Sequence, residues 1–151
     1  MTGTTPLPPL APTPPHAPGY MRFHVWLYRV SDGRLGGRLW ARRFLMLTTT
    51  GRKTGARYVI PLEYHTDGKT PYLIASNFGR RYPPGWYLNL QANPTVEIEC
   101  DGQRQRMSAS VVGSADRQRI WADLVRVAPY YARYQRHTTR EIPIVLLRLV
   151  V

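Results

Sequence analysis

The feature that most constrains the fold is a series of short segments in which apolar and polar residues alternate, joined by tight turns. Val96, Ile98 and Cys100 alternate with other residues up to Asp101-Gly102, and the alternation resumes from Met107 to Val111. A period of two is typical of a strand with one buried face, and an Asp-Gly pair favours a hairpin turn. Strands joined by such turns pair antiparallel, which indicates an antiparallel sheet rather than a doubly wound parallel one.

Further strands are predicted on both sides of this hairpin. Residues 44–50 form an apolar run that continues into three threonines, and residues 58–64 alternate at period two. Pro61 lies inside the second of these segments and cannot donate to a ladder, so we expect an edge strand or a bulge there. Residues 72–75 read as a returning strand after Asp67-Gly68, and residues 144–151 as the last strand.

Helices are predicted at both ends of the strand series and inside it. Apolar residues recur at helical spacing over residues 19–31, and a second helix follows Pro83-Pro84-Gly85 and stops at Asn93-Pro94. A third begins after Ser114, a good N-cap, and a tyrosine-rich piece follows Pro129. The order indicates an α+β fold, and a closed or nearly closed antiparallel barrel with flanking helices is the simplest way to hide the strand edges.

The length of 151 residues fits one domain with one core. Seven of the 14 prolines fall within residues 1–18. Because proline fixes φ and lacks an N–H, this segment is predicted to be a disordered tail, and residues 19–151 are predicted to form the domain.

The formal net charge is +12, almost all of it from arginine, with Lys53 and Lys69 as the only lysines. Such a charge attracts anions, which leaves nucleic acid, an anionic membrane face or an anionic cofactor as partners. Histidines are scattered and the single cysteine has no metal-ligand spacing, so no metal site is expected. Glu97 and Glu99 fit the solvent face of one strand. A chain without its own acid–base machinery suggests that a bound cofactor carries the reactivity.

The sharpest local feature is the turn from Gly51 to Arg57, which contains Thr54 and Gly55 between its cations. Arg52 and Arg57 can bind an anion through two N–H groups each, and Lys53 adds a point charge. Backbone N–H groups of a glycine-containing turn can converge on the same anion. The spacing alone is also compatible with a solvated basic turn.

Several segments together resemble the deazaflavin-dependent nitroreductase family of actinobacteria. They read TTTGRKTG at 48–55, PL at 61–62, ASNFG at 75–79 and PGWYLNLQANP at 84–94, followed by matching pieces at 129–134 and 141–145. The resemblance runs from about Tyr20 to the C-terminus. Two departures are Glu63, where relatives often carry an aromatic or aliphatic residue, and Arg57, which stands one position from the arginine of many relatives.

The resemblance implies a split β-barrel related to FMN-binding folds, which binds coenzyme F420 through its phosphate and poly-glutamate tail. Arg52, Lys53 and Arg57 would hold the phosphate region. Ser76 and Asn77 would lie beside the deazaflavin ring, in a slot shaped by Pro61, Leu62 and Ala75. Tyr131 and Tyr134 would close the substrate side, with Tyr131 orienting the acceptor or relaying a proton, and Ser76 is the third candidate catalytic residue.

The resemblance also implies a function, an F420H2-dependent oxidoreductase that transfers a hydride to quinones or nitro-aromatic compounds. Two alternatives remain open, a non-catalytic carrier of F420 or FMN on the same barrel and a nucleic-acid binder. We favour the enzyme over both and expect no nucleic-acid partner. We expect a cytoplasmic monomer or homodimer. The arginines on the polar side of the first helix also permit peripheral contact with an anionic membrane, on the inner face of the plasma membrane.

Overall fold

The computed structural model describes residues 5–39 and 41–150 and contains four helices and eight strands within them. The helices are α1 (Gly19–Val30), α2 (Gly85–Ala92), α3 (Ser114–Val127) and α4 (Tyr130–Arg136). The three predicted helices are therefore confirmed as α1, α2 and α3, and the tyrosine-rich piece after Pro129 forms α4. Ser114 lies inside α3, and Gly113 occupies the cap position that the sequence assigned to Ser114.

The strands follow one another mostly through short turns. They are β1 (Arg38–Leu39), β2 (Arg42–Thr50), β3 (Arg57–Glu63), β4 (His65–Asp67), β5 (Thr70–Ile74), β6 (Thr95–Cys100), β7 (Gln103–Val111) and β8 (Ile144–Leu149). A single 3-10 turn, Asn77–Gly79, follows β5. The predicted hairpin around Asp101-Gly102 is β6–β7, in which Val96 pairs with Met107.

All strand pairs are antiparallel, and the sheet runs β3-β2-β6-β7-β8-β5-β4, with β1 paired to the start of β2. β3 pairs only with β2 among the described strands, which confirms the edge position that Pro61 requires. At the other end, β4 covers only Thr70 to Tyr72 of β5. The curled sheet is thus a split barrel whose opening lies between β3 and the end of β5.

Apolar side chains fill the curl of the sheet and both of its covered faces. The interior cluster centres on Leu45, Leu47, Leu73 and Leu147, with Trp86 and Leu90 of α2 packed against it. α3 and α4 cover the β5–β8 side through a second cluster that includes Leu124 and Tyr131. These helices therefore fix which residues border the opening of the barrel.

The outer face of β2 and β3 is covered by α1 and by the proline-rich segment that precedes it. Val25 and Tyr28 of α1 pack with Met46, Val59 and Ala11, which is 2% exposed. The Pro12 carbonyl accepts a hydrogen bond from the Val59 N–H. Residues 5–18 contain no helix or strand, as the prolines predict, but the expectation that this segment lies outside the fold does not match these contacts.

Glu97 and Glu99 also lie beneath this segment, and their predicted place on the solvent face is wrong. Both are 5% exposed. Arg29 of α1 donates to both oxygens of Glu99, at 3.0 and 2.8 Å, and to the Ala11 carbonyl. The carboxylates are buried because arginines compensate their charge, which a strand pattern alone does not reveal.

Candidate active site

A cavity of about 290 Å³ opens in the split of the barrel, and we call it the split pocket. Its residues come from three parts of the chain. The edge of β2 and β3 supplies Arg42, Phe44, Pro61, Leu62 and Glu63. The end of β5 and the following loop supply Leu73, Ile74, Ser76 and Phe78, and the helices supply Trp86, Tyr130, Tyr131 and Tyr134. The volume is at the lower end of the range for ligand pockets.

A cluster of tyrosine rings forms one wall of this pocket. Tyr130 and Tyr131 of α4 have ring centroids 4.7 Å apart, and Tyr134 lies 5.8 Å from Tyr131. Phe78 closes the cluster with an edge-on contact to Tyr134 at 5.9 Å. Helical spacing brings 130, 131 and 134 to the same side of α4, so the predicted pair Tyr131 and Tyr134 does border the pocket.

The carboxylate of Glu63 lies at the centre of the polar contacts in this wall. The Tyr130 hydroxyl donates to Oε1 in a short hydrogen bond, and the Tyr131 hydroxyl donates to Oε2 at 3.3 Å. His65 Nε2 lies 3.4 Å from Oε1, a charge contact without hydrogen-bond alignment, and Arg42 lies 4.0 Å from Oε2. The Arg42 guanidinium also stacks on the Tyr130 ring, 4.2 Å from its centroid.

These contacts hold Glu63 ionised and the two tyrosines protonated. Burial alone raises the pKa of Glu63, but its contacts with His65 and the Tyr130 hydroxyl and the charge of Arg42 outweigh burial, so the pKa is lowered. Burial and the adjacent Glu63 carboxylate raise the pKa values of Tyr130 and Tyr131 far above that of a free tyrosine. Both tyrosine hydroxyls therefore keep their protons and donate them in hydrogen bonds to Glu63.

The loop that carries Ser76 is fixed by Arg140 and by a close approach to α4. The Arg140 guanidinium donates to the carbonyls of Ala75, Ser76 and Arg80, at 3.2, 2.9 and 3.0 Å. Gly79 has φ +77°, and a Cβ there would lie 2.5 Å from the Tyr134 carbonyl oxygen. Only glycine fits at this position, so the loop and α4 meet as one rigid wall of the pocket.

The basic turn lies beside α2, the same helix that supplies Trp86 to the pocket. The Arg52 guanidinium and backbone N–H donate to the Asn89 side chain, at 2.9 and 3.2 Å. Asn89 follows Trp86 by three residues, a rise of roughly 4.5 Å along a helix. The side chain of Lys53 is exposed, and a Cβ on Gly55 would meet no atom within 4 Å. The exposed basic turn is thus bound to the same helix that supplies Trp86 to the split pocket.

The third predicted cation, Arg57, is engaged elsewhere. Its guanidinium lies 3.2 Å from a carboxylate oxygen of Glu97 and 3.2 Å from the Pro9 carbonyl that it donates to, on the face covered by the proline-rich segment. Arg104 binds the other oxygen of Glu97. The structure therefore brings Arg52 and Lys53 together but holds Arg57 in a separate network.

The remaining predicted cofactor residues lie around the pocket at different depths. Pro61, Leu62 and Ser76 border it. Ala75 is fully buried in the barrel core, and the Asn77 amide donates to the Tyr82 carbonyl at 2.9 Å. Thr54 stays within its turn, where its hydroxyl accepts from the Ala56 N–H at 3.2 Å.

Sequence reasoning missed Glu63, Tyr130, Arg42 and Arg140 as members of the site. Glu63 gave a signal, because an acidic residue at the end of an otherwise apolar edge strand needs a partner if it is buried. Tyr130 was a neighbour of the predicted Tyr131, but nothing in the sequence reveals that both hydroxyls meet the same carboxylate. Arg140 acts through backbone carbonyls, which leave no trace in the sequence.

Membrane-spanning helices and metal-ligand clusters are both absent from residues 5–39 and 41–150. None of the helices in these ranges has the length and apolar character needed to cross a bilayer. Within the same ranges, no three histidine, cysteine, aspartate or glutamate side chains come together as metal ligands.

Comparison with known proteins points to one family. Residues 20–148 match the model of the family described as F420H(2)-dependent quinone reductase. A Mycobacterium tuberculosis protein named F420H(2)-dependent quinone reductase is 39% identical over 131 residues, which cover 84% of this chain and 88% of the relative.

Solved structures agree with that match. One described as an F420-H2 dependent reductase is 31% identical, with a TM-score of 0.63 over 70% of this chain and 93% of the other. Another, described as a domain-swapped dimer, is 28% identical, with a TM-score of 0.66 over 83% and 92% of the two chains.

Proposed function

Since the chain belongs to the F420H(2)-dependent quinone reductase family, we propose that it reduces a quinone in the split pocket with reduced F420 as the hydride source. The observation that carries this proposal is that α2 lines the aromatic pocket with Trp86 and binds the exposed cationic turn through Asn89. An enzyme of this kind needs both parts next to each other, one for the reacting rings and one for the anionic tail of the coenzyme.

The described residues fit this coenzyme. Lys53 and Arg52 offer an ammonium and a guanidinium to a phosphate, and the space around Gly55 admits a ligand close to the backbone. Ser76, Pro61 and Leu62 border the pocket where the ring would lie. Arg57 would join them only if its contacts with Glu97 and Pro9 opened.

When bound in its reduced form, F420 supplies the hydride from a carbon of its deazaflavin ring. A quinone that gains a hydride also needs one proton and a group that stabilises the developing charge on its oxygen. Ser76 lines the pocket, and Arg140 fixes its backbone by donating to its carbonyl. Its hydroxyl is our candidate hydrogen-bond donor to the quinone oxygen. Tyr131 and Tyr134 orient the acceptor ring by packing. Because the Tyr131 hydroxyl proton is held by Glu63, we assign the proton supply to water.

The test is to follow the oxidation of reduced F420 by menadione, by absorbance, under saturating coenzyme. We expect turnover, and we expect Ser76→Ala to lower kcat by about tenfold or more, in line with the loss of one donor to a developing oxyanion. Ser110→Ala, on the exposed face of β7, is the matched control. Tight coenzyme binding without turnover would instead favour the carrier function, and a copurifying chromophore with the absorption spectrum of a flavin rather than a deazaflavin would favour FMN.

Nitro-aromatic compounds are a second class of acceptor in this proposal. A nitro group presents oxygens that the Ser76 hydroxyl can reach, and the aromatic wall of Tyr130, Tyr131 and Tyr134 stacks on electron-poor rings. The same assay with a nitro-imidazole tests this class, and no F420H2 oxidation above background would remove it.

We also propose that α1 touches an anionic membrane on the cytoplasmic side. The helix packs on the barrel through Val25 and Tyr28, while Tyr20, Phe23, Trp26 and Val30 are each more than half exposed. Exposed aromatics beside arginines suit an anionic lipid interface, the environment in which lipid-soluble quinones reside. Co-sedimentation with phosphatidylserine-containing vesicles tests it. We expect Phe23→Ser/Trp26→Ser to abolish binding, and no binding of the unaltered protein would overturn it.

For the oligomeric state we propose a homodimer, a choice supported by the neighbour described as a domain-swapped dimer. Light scattering after size-exclusion chromatography distinguishes the mass of two chains from that of one.

A further inference from the structure

The split pocket has a wall of hydrogen-bond acceptors centred on Glu63. The Tyr130 and Tyr131 hydroxyls donate to this carboxylate, so their hydrogens point toward Glu63 and their oxygen lone pairs are left for other partners. A carboxylate has about four lone-pair directions, and the two tyrosines take two of them. Glu63 lines the pocket together with both tyrosines, and its side chain is 12% exposed.

The charges around Glu63 decide what this wall can recognise. Two cationic or potentially cationic groups face it, Arg42 of β2 at 4.0 Å and His65 of β4 at 3.4 Å, while α4 contributes only the two tyrosine hydroxyls. The Arg42 guanidinium offsets the charge of the carboxylate, so the wall does not repel or attract ligands mainly through net charge. Recognition by this wall therefore depends on hydrogen-bond direction, because the wall presents acceptors to the ligand.

We propose that Glu63 makes the split pocket selective for aromatic acceptors that carry a hydroxyl or amino hydrogen-bond donor. A ligand with such a donor fills the remaining acceptor capacity of the Glu63 and tyrosine oxygens. An analogue without it, such as menadione, leaves those buried acceptors unpaired after water has been displaced, so it binds more weakly and needs a higher concentration for turnover. The proposal rests on the proposed function, because it assigns the substrate class to the same pocket. Glu63 acts both by direct contact and by orienting the two tyrosines.

The test uses two ligands that differ in a single donor and cannot be reduced. Isothermal titration calorimetry of the protein without coenzyme, with 2-naphthol and with 2-methoxynaphthalene, measures the preference directly. We expect 2-naphthol to bind at least about tenfold more tightly. Glu63→Gln replaces one of the two accepting oxygens with an N–H₂ donor, which faces the oxygen of one tyrosine and turns that hydroxyl toward the pocket, so the preference should fall below about threefold. Glu141→Gln, at an exposed site on the surface, should leave it unchanged.

A second variant keeps the test decisive if Glu63→Gln does not fold. Tyr130→Phe removes one donor from the carboxylate and frees one lone pair, so the preference for 2-naphthol should rise by about threefold or more. Equal affinity of the unaltered protein for the two ligands, or a preference that neither variant changes, would overturn the proposal.

Turnover separates this proposal from the proposed function. If reduced F420 is not oxidised by any quinone but the naphthol preference appears and depends on Glu63, the selectivity stands and the reductase assignment fails. If quinones are reduced but the preference is absent, the reductase stands and the role of Glu63 fails. Where both hold, we expect Glu63→Gln to lower kcat/KM for hydroxyl-bearing quinones relative to their methyl ethers, mainly through KM.

Discussion

At the scale of single residues, both the fold and the candidate site contain buried carboxylates whose charges are compensated by their neighbours. Glu63 is held by two tyrosines, a histidine and an arginine, and Glu99 by Arg29. Such groups are costly to bury alone, and removing one partner is more damaging than removing both. Their protonation and their partners therefore give direct tests.

The first residue-scale prediction concerns the pH dependence of stability at Glu63. Its pKa in the folded state is lowered, so its contribution is present above the pKa of the unfolded state and is lost as the pH falls through the folded value. We expect Glu63→Gln to lower the free energy of unfolding by about 1 kcal/mol at neutral pH. The difference should vanish well below about pH 4, where the carboxylate is protonated in both states.

Urea unfolding of both proteins across this pH range measures the difference. A gap between the two proteins that stays constant down to the acid limit would contradict the assignment, because it would mean that the carboxylate charge contributes nothing.

The second residue-scale prediction concerns Arg29, which joins α1 to the barrel through Glu99 and to the proline-rich segment through Ala11. Arg29→Ala leaves Glu99 buried without its partner. We expect a loss of about 3 kcal/mol of unfolding free energy, since breaking a buried pair from one side costs this much. Arg22→Ala, an exposed arginine on the same helix, is the control and should change stability by less than about 0.5 kcal/mol.

At the scale of elements, the sequence predicted the helices and the main strands because their signals are local. Alternation at period two marked β6 and β7, helical spacing marked α1 and α3, and Pro61 placed β3 at an edge. Apart from the cap of α3, the errors involve contacts between distant segments. Glu97 looked exposed because its partners, Arg57 and Arg104, lie on other strands, and residues 8–12 looked dispensable because prolines lack donors. Their carbonyls still accept, and arginines supply the donors.

The candidate site was predictable to the extent that a motif resemblance places residues near one another. Ser76, Tyr131, Tyr134, Pro61 and Leu62 do border one pocket. The placement of Arg57 away from the basic turn had a signal in the sequence, because its one-residue offset from the arginine of many relatives moves the side chain to the opposite face of the strand. Glu63 was noticed only as a departure from the family.

The element-scale prediction concerns the contact between the 3-10 turn and α4. Gly79→Ala combines a positive φ with a Cβ that would overlap the Tyr134 carbonyl. We expect a loss of about 2 kcal/mol and a displaced α4. Gly68→Ala has a comparable φ of +61° but open space around its Cβ, so it isolates the backbone strain from the overlap.

Thermal unfolding and the F420-dependent turnover of both variants provide the readout. Gly79→Ala should lower activity beyond what its stability loss explains, because it moves the tyrosine wall. Equal effects of the two substitutions on turnover would contradict a role for this contact in shaping the pocket.

At the scale of the whole molecule, one face of the barrel is covered by other parts of the chain and the split is open. The outer face of β2, β3 and β6, where β6 bears Glu97 and Glu99, is covered by α1 and the proline-rich segment, and its arginines are engaged with carboxylates and carbonyls. The split is bordered by α2 and α4 and contains the cavity in which we propose that ligands bind. With a net charge of +12, the molecule as a whole attracts a polyanionic coenzyme, and salt should weaken that attraction.

The most direct measurement is the affinity for F420, by fluorescence titration, of the unaltered protein and of its two lysine variants. Lys53→Ala removes the exposed ammonium of the basic turn, and Lys69→Ala removes the other lysine, which borders a different cavity on the barrel. We expect Lys53→Ala to weaken binding by about tenfold, roughly 1.4 kcal/mol, and Lys69→Ala to leave it within about twofold. Equal affinities of all three proteins would contradict the coenzyme site beside α2 on which the account rests.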